Sequence, residues 1–329
     1  MTNSTISQFH NCRIVVWLEW PEACFCATAD DIEYLKSLTD GEVVWVRRRE
    51  DFIDRLPTAT HVITWHFETG WYALAPNLRL VATPAAGREL IAWRDAPEGV
   101  AVHFGTFHGD IIAESVVAFC MAWARGFFRT PPPTGIWPRE WLGDKCYTIS
   151  GTKAVIAGYG KIGKAIGAKF AALGASVKGF GRKNISEMSA AMAEADWFIM
   201  ALPSDTGTDN FLDANRIAML SPRCVVVNIG RGNAIDEDAL RQALVEGRIA
   251  AAYLDVFKNE PTCLNVDQSQ RAKAGGLWDS GTPNLVPMPH SSAFSPDYMK
   301  RCFAELAALD PATGFCYNYA PNRQTSDIR

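Results

Sequence analysis

Three polar residues stand in settings that suit chemistry: Arg231 in V-V-V-N-I-G-R-G, Glu260 in L-D-V-F-K-N-E-P and His290 in V-P-M-P-H-S-S. An arginine is permanently charged and holds a carboxylate by two parallel hydrogen bonds. An imidazole titrates near neutral pH, so it can give or take a proton. A carboxylate beside that ring favours its protonated form and fixes its orientation. Together the three read as a device for moving a proton at a group next to a carboxylate. Each has a plainer reading. A His after Pro at a strand end can be a turn residue, and Glu260 before Pro261 can be a loop charge. Arg231 between two glycines is hard to explain as packing.

A glycine fingerprint, G-Y-G-K-I-G at 158–163, precedes all three. Val155, Ile156 and Ala157 read as a buried strand leading into it. Gly158 permits a tight turn, Gly160 lets backbone approach a pyrophosphate, and Gly163 lets the following helix pack close to the strand. The helix N-terminus offers free N–H groups and a favourable dipole for phosphate. A dinucleotide site is the expectation. An acid about 20 residues further on would bind adenosine ribose hydroxyls. The chain has F-G-R-K instead, with Gly181 in that place, followed by Arg182 and Lys183. Without the carboxylate a 2′-phosphate is not repelled, and a guanidinium pairs with it in a fork. NADP(H) is therefore expected over NAD(H), with NAD(H) still possible; the plainer reading is that Arg182 and Lys183 are solvated loop charges.

These motifs need elements to position them. Strands are expected at 13–18, 43–46, 61–65 and 78–82, with a helix over 30–38 among them. A long apolar helix is expected over 111–128, with Ala113, Ala118, Ala122 and Ala124 allowing close packing and the P-P-P at 131–133 ending it. The aromatic stretch 136–147 reads as a dimer arm or as core. A second series follows, with strands at 153–157, 176–180, 197–201, 225–228, 250–255 and 285–288 and helices at 161–173 and 237–246. Strands alternating with helices predict parallel sheets with crossover helices. Each polar motif falls just past a strand's carboxyl end, where open α/β sheets bind ligands.

The chain has 329 residues, enough for two domains, and 48% of them are hydrophobic, enough for real cores. Net charge is −4, and Arg47–Arg49 is a lone basic tract, read as a solvated strand end. Nucleic acid is not an expected partner. No apolar run reaches membrane-spanning length, and no signal-peptide pattern opens the chain. The nine cysteines are scattered and read as reduced thiols of a cytoplasmic protein. No cluster has metal-ligand spacing, so no metal is expected. No G-x-S-x-G or Ser-Lys pattern points to acyl transfer. His66, after a strand end, is a candidate to reach substrate, whereas His103 and His108 read as structural.

In order along 110–295, the segments G-Y-G-K-I-G, A-L-P-S-D-T-G-T, N-I-G-R-G, D-V-F-K-N-E-P and P-H-S-S resemble the D-isomer-specific 2-hydroxyacid dehydrogenase family. The N-terminal part is similar mainly in its strand–helix rhythm, in P-A-A-G at 84–87 and in A-E at 113–114. The resemblance implies two Rossmann-like, doubly wound domains. A flavodoxin-like substrate domain would comprise 1–112 and 292–329, with an NAD(P)-binding domain inserted at 113–291. It implies Arg231 as carboxylate binder, Glu260 as holder of the imidazole and His290 as general acid/base, with Asp255 contacting the nicotinamide carboxamide. It places Tyr159, Gly160, Lys161 and Ile162 on phosphate, and Leu202, Pro203 and Thr208 along the cofactor. Ile229, Gly230, Arg231 and His290 complete the cofactor contacts. Ala86 and Gly87 would cradle the substrate carboxylate, with Trp65 as a substrate wall. Two segments depart from the family's usual pattern. A-G-R-E-L at 86–90 carries Arg88 and Glu89 where an aspartate is common, and 103–114 carries Phe104, Phe107 and His108 where small or apolar residues are common.

The expected activity is NADPH-dependent reduction of a small 2-oxo acid, glyoxylate or hydroxypyruvate, to the D-2-hydroxy acid in a cytoplasmic homodimer. The alternatives are a dehydrogenase of a bulkier 2-hydroxy acid and a dinucleotide-sensing binding protein like the corepressors that resemble this family. Formate oxidation is disfavoured, because the formate enzymes pair their His with Gln and Glu260 stands here.

Overall fold

Short apolar runs rich in valine and isoleucine become strands, and amphipathic stretches between them become helices. In the computed structural model the described residues are 12–129, 139–143, 145–260, 276–278 and 280–309. Residues 136–138 of the aromatic stretch, Trp137 among them, and the polar C-terminal stretch lie outside them. The chain divides into two compact units, Met1–Phe107 with Phe294–Arg329, and His108–Ala293.

The first unit holds β1 (Arg13–Trp17), α1 (Ala29–Ser37), β2 (Glu42–Trp45), α2 (Arg49–Arg55), β3 (His61–Thr64), α3 (Trp71–Leu74), β4 (Leu80–Thr83) and β5 (Ala101–Phe104). Its five strands are all parallel, in the order β2-β1-β3-β4-β5. That is the flavodoxin-like order, with its switch point between β1 and β3. Val15, Val62 and Val81 pack with Phe52, Phe67 and Trp71 on one face. The edge strand β5 was not among the expected elements. Its A-V-H-F is half-buried throughout and carries a histidine, so it lacks the continuous apolar run of the central strands.

The second unit begins with α4 (His108–Ala124) and continues with β6 (Lys153–Ala157), α5 (Lys161–Ala172), β7 (Ser176–Phe180), α6 (Ser189–Met192), β8 (Trp197–Met200), α7 (Ala214–Ile217), β9 (Val225–Asn228), α8 (Glu237–Val245), β10 (Ala251–Leu254) and β11 (Leu285–Pro287). The last helix among the described residues, α9 (Tyr298–Ala308), belongs to the first unit. The six strands are parallel in the order β11-β10-β9-β8-β6-β7, which puts the switch point between β6 and β8. Alternate residues of each strand feed opposite cores. Val155, Phe198 and Val226 face one, while Ile156, Ile199 and Val227 face the other, under α4 and α5. Sheets covered on both faces read as unbroken apolar runs, which is why these strands are legible in the sequence.

Helix α4 ends earlier than the prolines at 131–133 would require. Gly126 takes φ 76°, its N–H donates to Trp123 O, and the Phe127 N–H donates to Ala122 O at 2.9 Å. This paired closure with a left-handed glycine stops the helix without proline. Its close approach to α5 runs through Gly109, where an added Cβ would sit 3.3 Å from that of Ala165, while Ala118 is exposed. Among the described residues Cys24, Cys26, Cys120, Cys146, Cys224 and Cys302 are free thiols. Among the described residues no helix is long and apolar enough to cross a membrane, and no group of three or more His, Cys, Asp or Glu is placed to hold a metal ion.

Candidate active site

The glycine loop leaves β6 at the switch point. An added Cβ on Gly158, whose φ is 96°, would lie 2.4 Å from Ala201 O, and one on Gly163 would lie 2.2 Å from Gly158 O. Only glycine fits where the loop crosses β8 and where α5 starts. At Gly160 an added Cβ meets nothing within 4 Å, so the loop is open there. The first helical bond of α5 runs from the Lys164 N–H to Gly160 O at 2.9 Å, which leaves the N–H groups before it to face outward at a helix N-terminus. An open cradle of N–H groups with a favourable dipole fits a pyrophosphate.

Tyr159 is placed differently from its expected partners. Its backbone N–H donates to Phe180 O at 3.1 Å, and its ring lies across Gly179 of β7, where an added Cβ would be 2.1 Å from the ring. It is a packing residue, and Gly160, Lys161 and Ile162 form the open part of the loop. Arg182 and Lys183 are exposed just past β7. Leu202 is buried and Pro203 exposed after β8. Thr208 is also buried, and its hydroxyl donates to Pro203 O at 2.8 Å and accepts the Asp205 N–H at 3.0 Å. It organises its own loop.

Past β9, Ile229 and Gly230 are buried and Arg231 is half-buried. Both flanking glycines are forced by close approach. An added Cβ on Gly230 would be 2.5 Å from Leu202 O, and one on Gly232 would be 1.9 Å from the Phe257 carbonyl carbon. The Arg231 Nη1 donates to Gly230 O at 2.8 Å. Asn228, fully buried at the end of β9, organises this turn. Its Oδ1 accepts the Gly230 N–H at 3.1 Å and its Nδ2 donates to Arg231 O at 3.0 Å. Asn228 was missed as a site residue, although a polar residue closing the all-apolar run V-V-V-N was a signal.

His290 lies past β11 and Glu260 past β10. Glu260 Oε2 is 2.8 Å from His290 Nδ1, while Glu260 Oε1 accepts the Phe257 N–H at 2.8 Å. The carboxylate is thus fixed at one oxygen and meets the ring with the other. Removal from water lowers the imidazole pKa. The Glu260 hydrogen bond and charge, with the Asp255 charge behind them, outweigh that loss and the repulsion of Arg231, so the pKa is raised above its ordinary value. The side chain is half-exposed, so the ring keeps access to solvent.

The backbone at His290 has φ 53°, a left-handed conformation that costs a non-glycine residue roughly 1–3 kcal/mol. Asp255 holds it there. Its backbone oxygen accepts the His290 N–H at 2.9 Å, and its buried carboxylate accepts the N–H groups of Ser291 at 2.8 Å and Ser292 at 3.1 Å. Burial pushes the Asp255 carboxyl up, against the hydrogen bonds from Ser291 and Ser292. Asp255 was expected on the nicotinamide, and the structure occupies its carboxylate with the turn that presents His290. Its contribution to that turn was not legible from D-V-F alone.

Arg231 and His290 lie in the second unit, whereas the other residues expected on the substrate, Ala86, Gly87 and Trp65, belong to the first. Ala86 is exposed and Gly87 half-buried. Trp65 is buried, with its indole N–H donated to Phe25 O at 2.9 Å and its ring against Trp20 and Phe25. Packing occupies it fully. His66 meets Glu68 at 3.2 Å, which in turn pairs with Arg49, and His103 meets Glu305 of α9 at 2.8 Å. Glu305 also accepts the Thr106 N–H at 2.9 Å, so His103 serves to tie α9 to the end of β5.

Sheet order and glycine loop define a dinucleotide-binding α/β protein of the doubly wound type, with Arg, Glu and His loops gathered at the carboxyl ends of β9 to β11. Residues 118–292 match the model of the D-isomer specific 2-hydroxyacid dehydrogenase NAD binding domain. The chain is 27% identical over 239 residues to glycerate dehydrogenase of Methylorubrum extorquens, covering 68% of this chain and 72% of that one. It is 31% identical over 239 residues to glyoxylate/hydroxypyruvate reductase B of Pectobacterium carotovorum subsp. carotovorum, covering 66% and 69% respectively. Its fold resembles that of the D-isomer specific 2-hydroxyacid dehydrogenase from Lactobacillus delbrueckii ssp. bulgaricus in its NAD complexed form, with a TM-score of 0.71, 19% identity, and 88% and 93% of the two chains covered. The chain belongs to the D-isomer specific 2-hydroxyacid dehydrogenase family. It is an NAD(P)-dependent oxidoreductase whose cofactor is a nicotinamide dinucleotide.

Proposed function

We propose that the chain reduces a small 2-oxo acid of the glyoxylate or hydroxypyruvate type to the D-2-hydroxy acid, with NADPH preferred over NADH. A bound reduced nicotinamide supplies the hydride. The backbone N–H groups of Gly160, Lys161 and Ile162 would hold its pyrophosphate, and Arg182 and Lys183 its 2′-phosphate. Leu202, Pro203, Ile229 and Gly230 would line its path. Arg231 holds the substrate carboxylate and, by its charge, draws electron density toward the adjoining carbonyl oxygen. His290, protonated and oriented through Nδ1 by Glu260, gives its Nε2 proton to that oxygen as the alcohol forms. Oxidation runs the same transfer backwards.

The observation that carries this reading is the 2.8 Å contact between His290 Nδ1 and Glu260 Oε2, on a half-exposed ring. It makes Nε2 the nitrogen left for substrate. The names of the two relatives favour a short 2-oxo acid. Ala86 and Gly87 in the first unit are retained as carboxylate-cradling backbone, and a cytoplasmic homodimer completes the proposal.

The test is NADPH oxidation against a panel of 2-oxo acids graded by side-chain size. Glyoxylate and hydroxypyruvate should turn over with the highest kcat/KM. Replacement His290→Ala should lower kcat by about 10²–10⁴-fold while leaving dinucleotide binding in place. Higher kcat/KM on branched or aromatic acids would move the substrate to the bulkier class. Tight dinucleotide binding without turnover on any acid would favour a sensor.

A further inference from the structure

The end of β7 and the loop after β8 meet through an ion pair that the sequence motifs did not announce. The turn at 181–184 is closed by Asn184, whose Oδ1 accepts the Gly181 N–H at 2.8 Å and whose N–H donates to Gly181 O at 3.1 Å. The turn turns Arg182 outward, with 75% of its side chain exposed. Nothing lies within 4 Å of a Cβ added at Gly181, so the space beside the turn is open.

Across that space stands Asp205, in the A-L-P-S-D-T-G-T segment. Its Oδ1 accepts the Gly207 N–H at 3.0 Å, and its own N–H donates to the Thr208 hydroxyl at 3.0 Å. With one oxygen so fixed, Oδ2 faces the Arg182 Nη2 at 3.6 Å. The guanidinium proposed for a 2′-phosphate therefore already has an anionic partner, held by its own loop.

We propose that Asp205 is a specificity-determining residue that competes with the 2′-phosphate of NADP(H) for Arg182 and so limits the preference for NADP(H) over NAD(H). The proposal rests on Arg182 being the 2′-phosphate ligand. A phosphate approaching Arg182 must displace the carboxylate or share the guanidinium with it. A cofactor with a plain 2′-hydroxyl carries no such cost. Both charges are solvent-exposed, so the effect has the size of an exposed ion pair, about 2–5-fold in affinity. It shrinks with added salt.

The test measures binding of adenosine 2′,5′-bisphosphate and adenosine 5′-monophosphate by calorimetry, in wild type, Asp205→Asn, Arg182→Ala and the double variant, alongside the NADPH/NADH ratio of kcat/KM. Asparagine keeps the acceptor for the Gly207 N–H, so the loop stays closed. Asp205→Asn should tighten the bisphosphate about 2–5-fold relative to the monophosphate and raise the NADPH/NADH ratio by a similar factor. That gain should vanish in the Arg182→Ala background. If Arg182→Ala abolishes discrimination between the two nucleotides but Asp205→Asn changes nothing, Asp205 has no such role and the reading of Arg182 stands. A gain that persists without Arg182 also overturns the proposal, because Asp205 then acts on the phosphate directly. If Arg182→Ala leaves discrimination intact, the reading of Arg182 fails, and the role of Asp205 fails with it.

Discussion

Replacing Glu260 by glutamine tests the electrostatics of the site with little change in shape. The amide preserves an acceptor toward the Phe257 N–H and removes the charge 2.8 Å from His290 Nδ1. Two unit charges at that separation interact by about 1.5 kcal/mol at the dielectric of water and about 6 kcal/mol at an effective constant near 20. His290 is half-exposed, so the screened end of that range applies. At 1.36 kcal/mol per pH unit, the imidazole pKa should fall by about one unit. His290 must be protonated to reduce and neutral to oxidise. The basic limb of kcat/KM for the 2-oxo acid should therefore move about one unit toward acid, as should the acid limb for the hydroxy acid. The assay is a pH series in each direction at saturating cofactor. A variant that keeps measurable activity with both limbs in their wild-type places would refute the reasoning. Stability carries the same sign. Since the folded pKa of His290 is raised, the Glu260 pair contributes fully below the unfolded value near 6.5 and loses its contribution as pH rises through the folded value.

Arg231→Lys keeps the charge but loses the fork that matches a carboxylate. It should raise KM for the 2-oxo acid and lower kcat/KM by about 10–150-fold, the worth of one charge-assisted hydrogen bond, with the dinucleotide Kd unmoved in fluorescence titration. Asn228→Ala leaves the Gly230 N–H and the Arg231 carbonyl without their buried partner. Denaturant unfolding should show a loss of about 1–3 kcal/mol. Turnover should fall too, because the turn that aims Arg231 loosens. Wild-type stability in that variant would mean that the two close-packed glycines hold the turn alone.

Much of the frame is legible in the chain because the central strands are buried on both faces. V-V-V at 225–227 and W-F-I-M at 197–200 are unbroken apolar runs, and such runs read as strands whatever surrounds them. The edge strand β5 escaped because A-V-H-F depends on its neighbour β4 to become a strand at all. The end of α4 was misplaced for a related reason. Proline is a loud stop signal, but a paired closure at Gly126 acts first. Tyr159 and Trp65 show the same limit among site residues. Their positions lie in or beside the right motifs, yet their rings are spent on Gly179 and on Phe25.

By itself the sequence determined which chemical groups are available: a guanidinium between glycines, a carboxylate before proline, an imidazole after proline, and a glycine loop at a strand end. Tertiary structure decided how they are held. Glu260 and His290 are 30 residues apart and meet only because β10 and β11 are neighbours. Asp255 supports the left-handed turn at His290 from the end of β10, 36 residues from Ser291, and Asp205 reaches Arg182 from the other side of the switch point. Side-chain type is a local property of the chain. Orientation, burial and pairing arise from hydrogen bonds between loops that only the parallel sheet brings to one end.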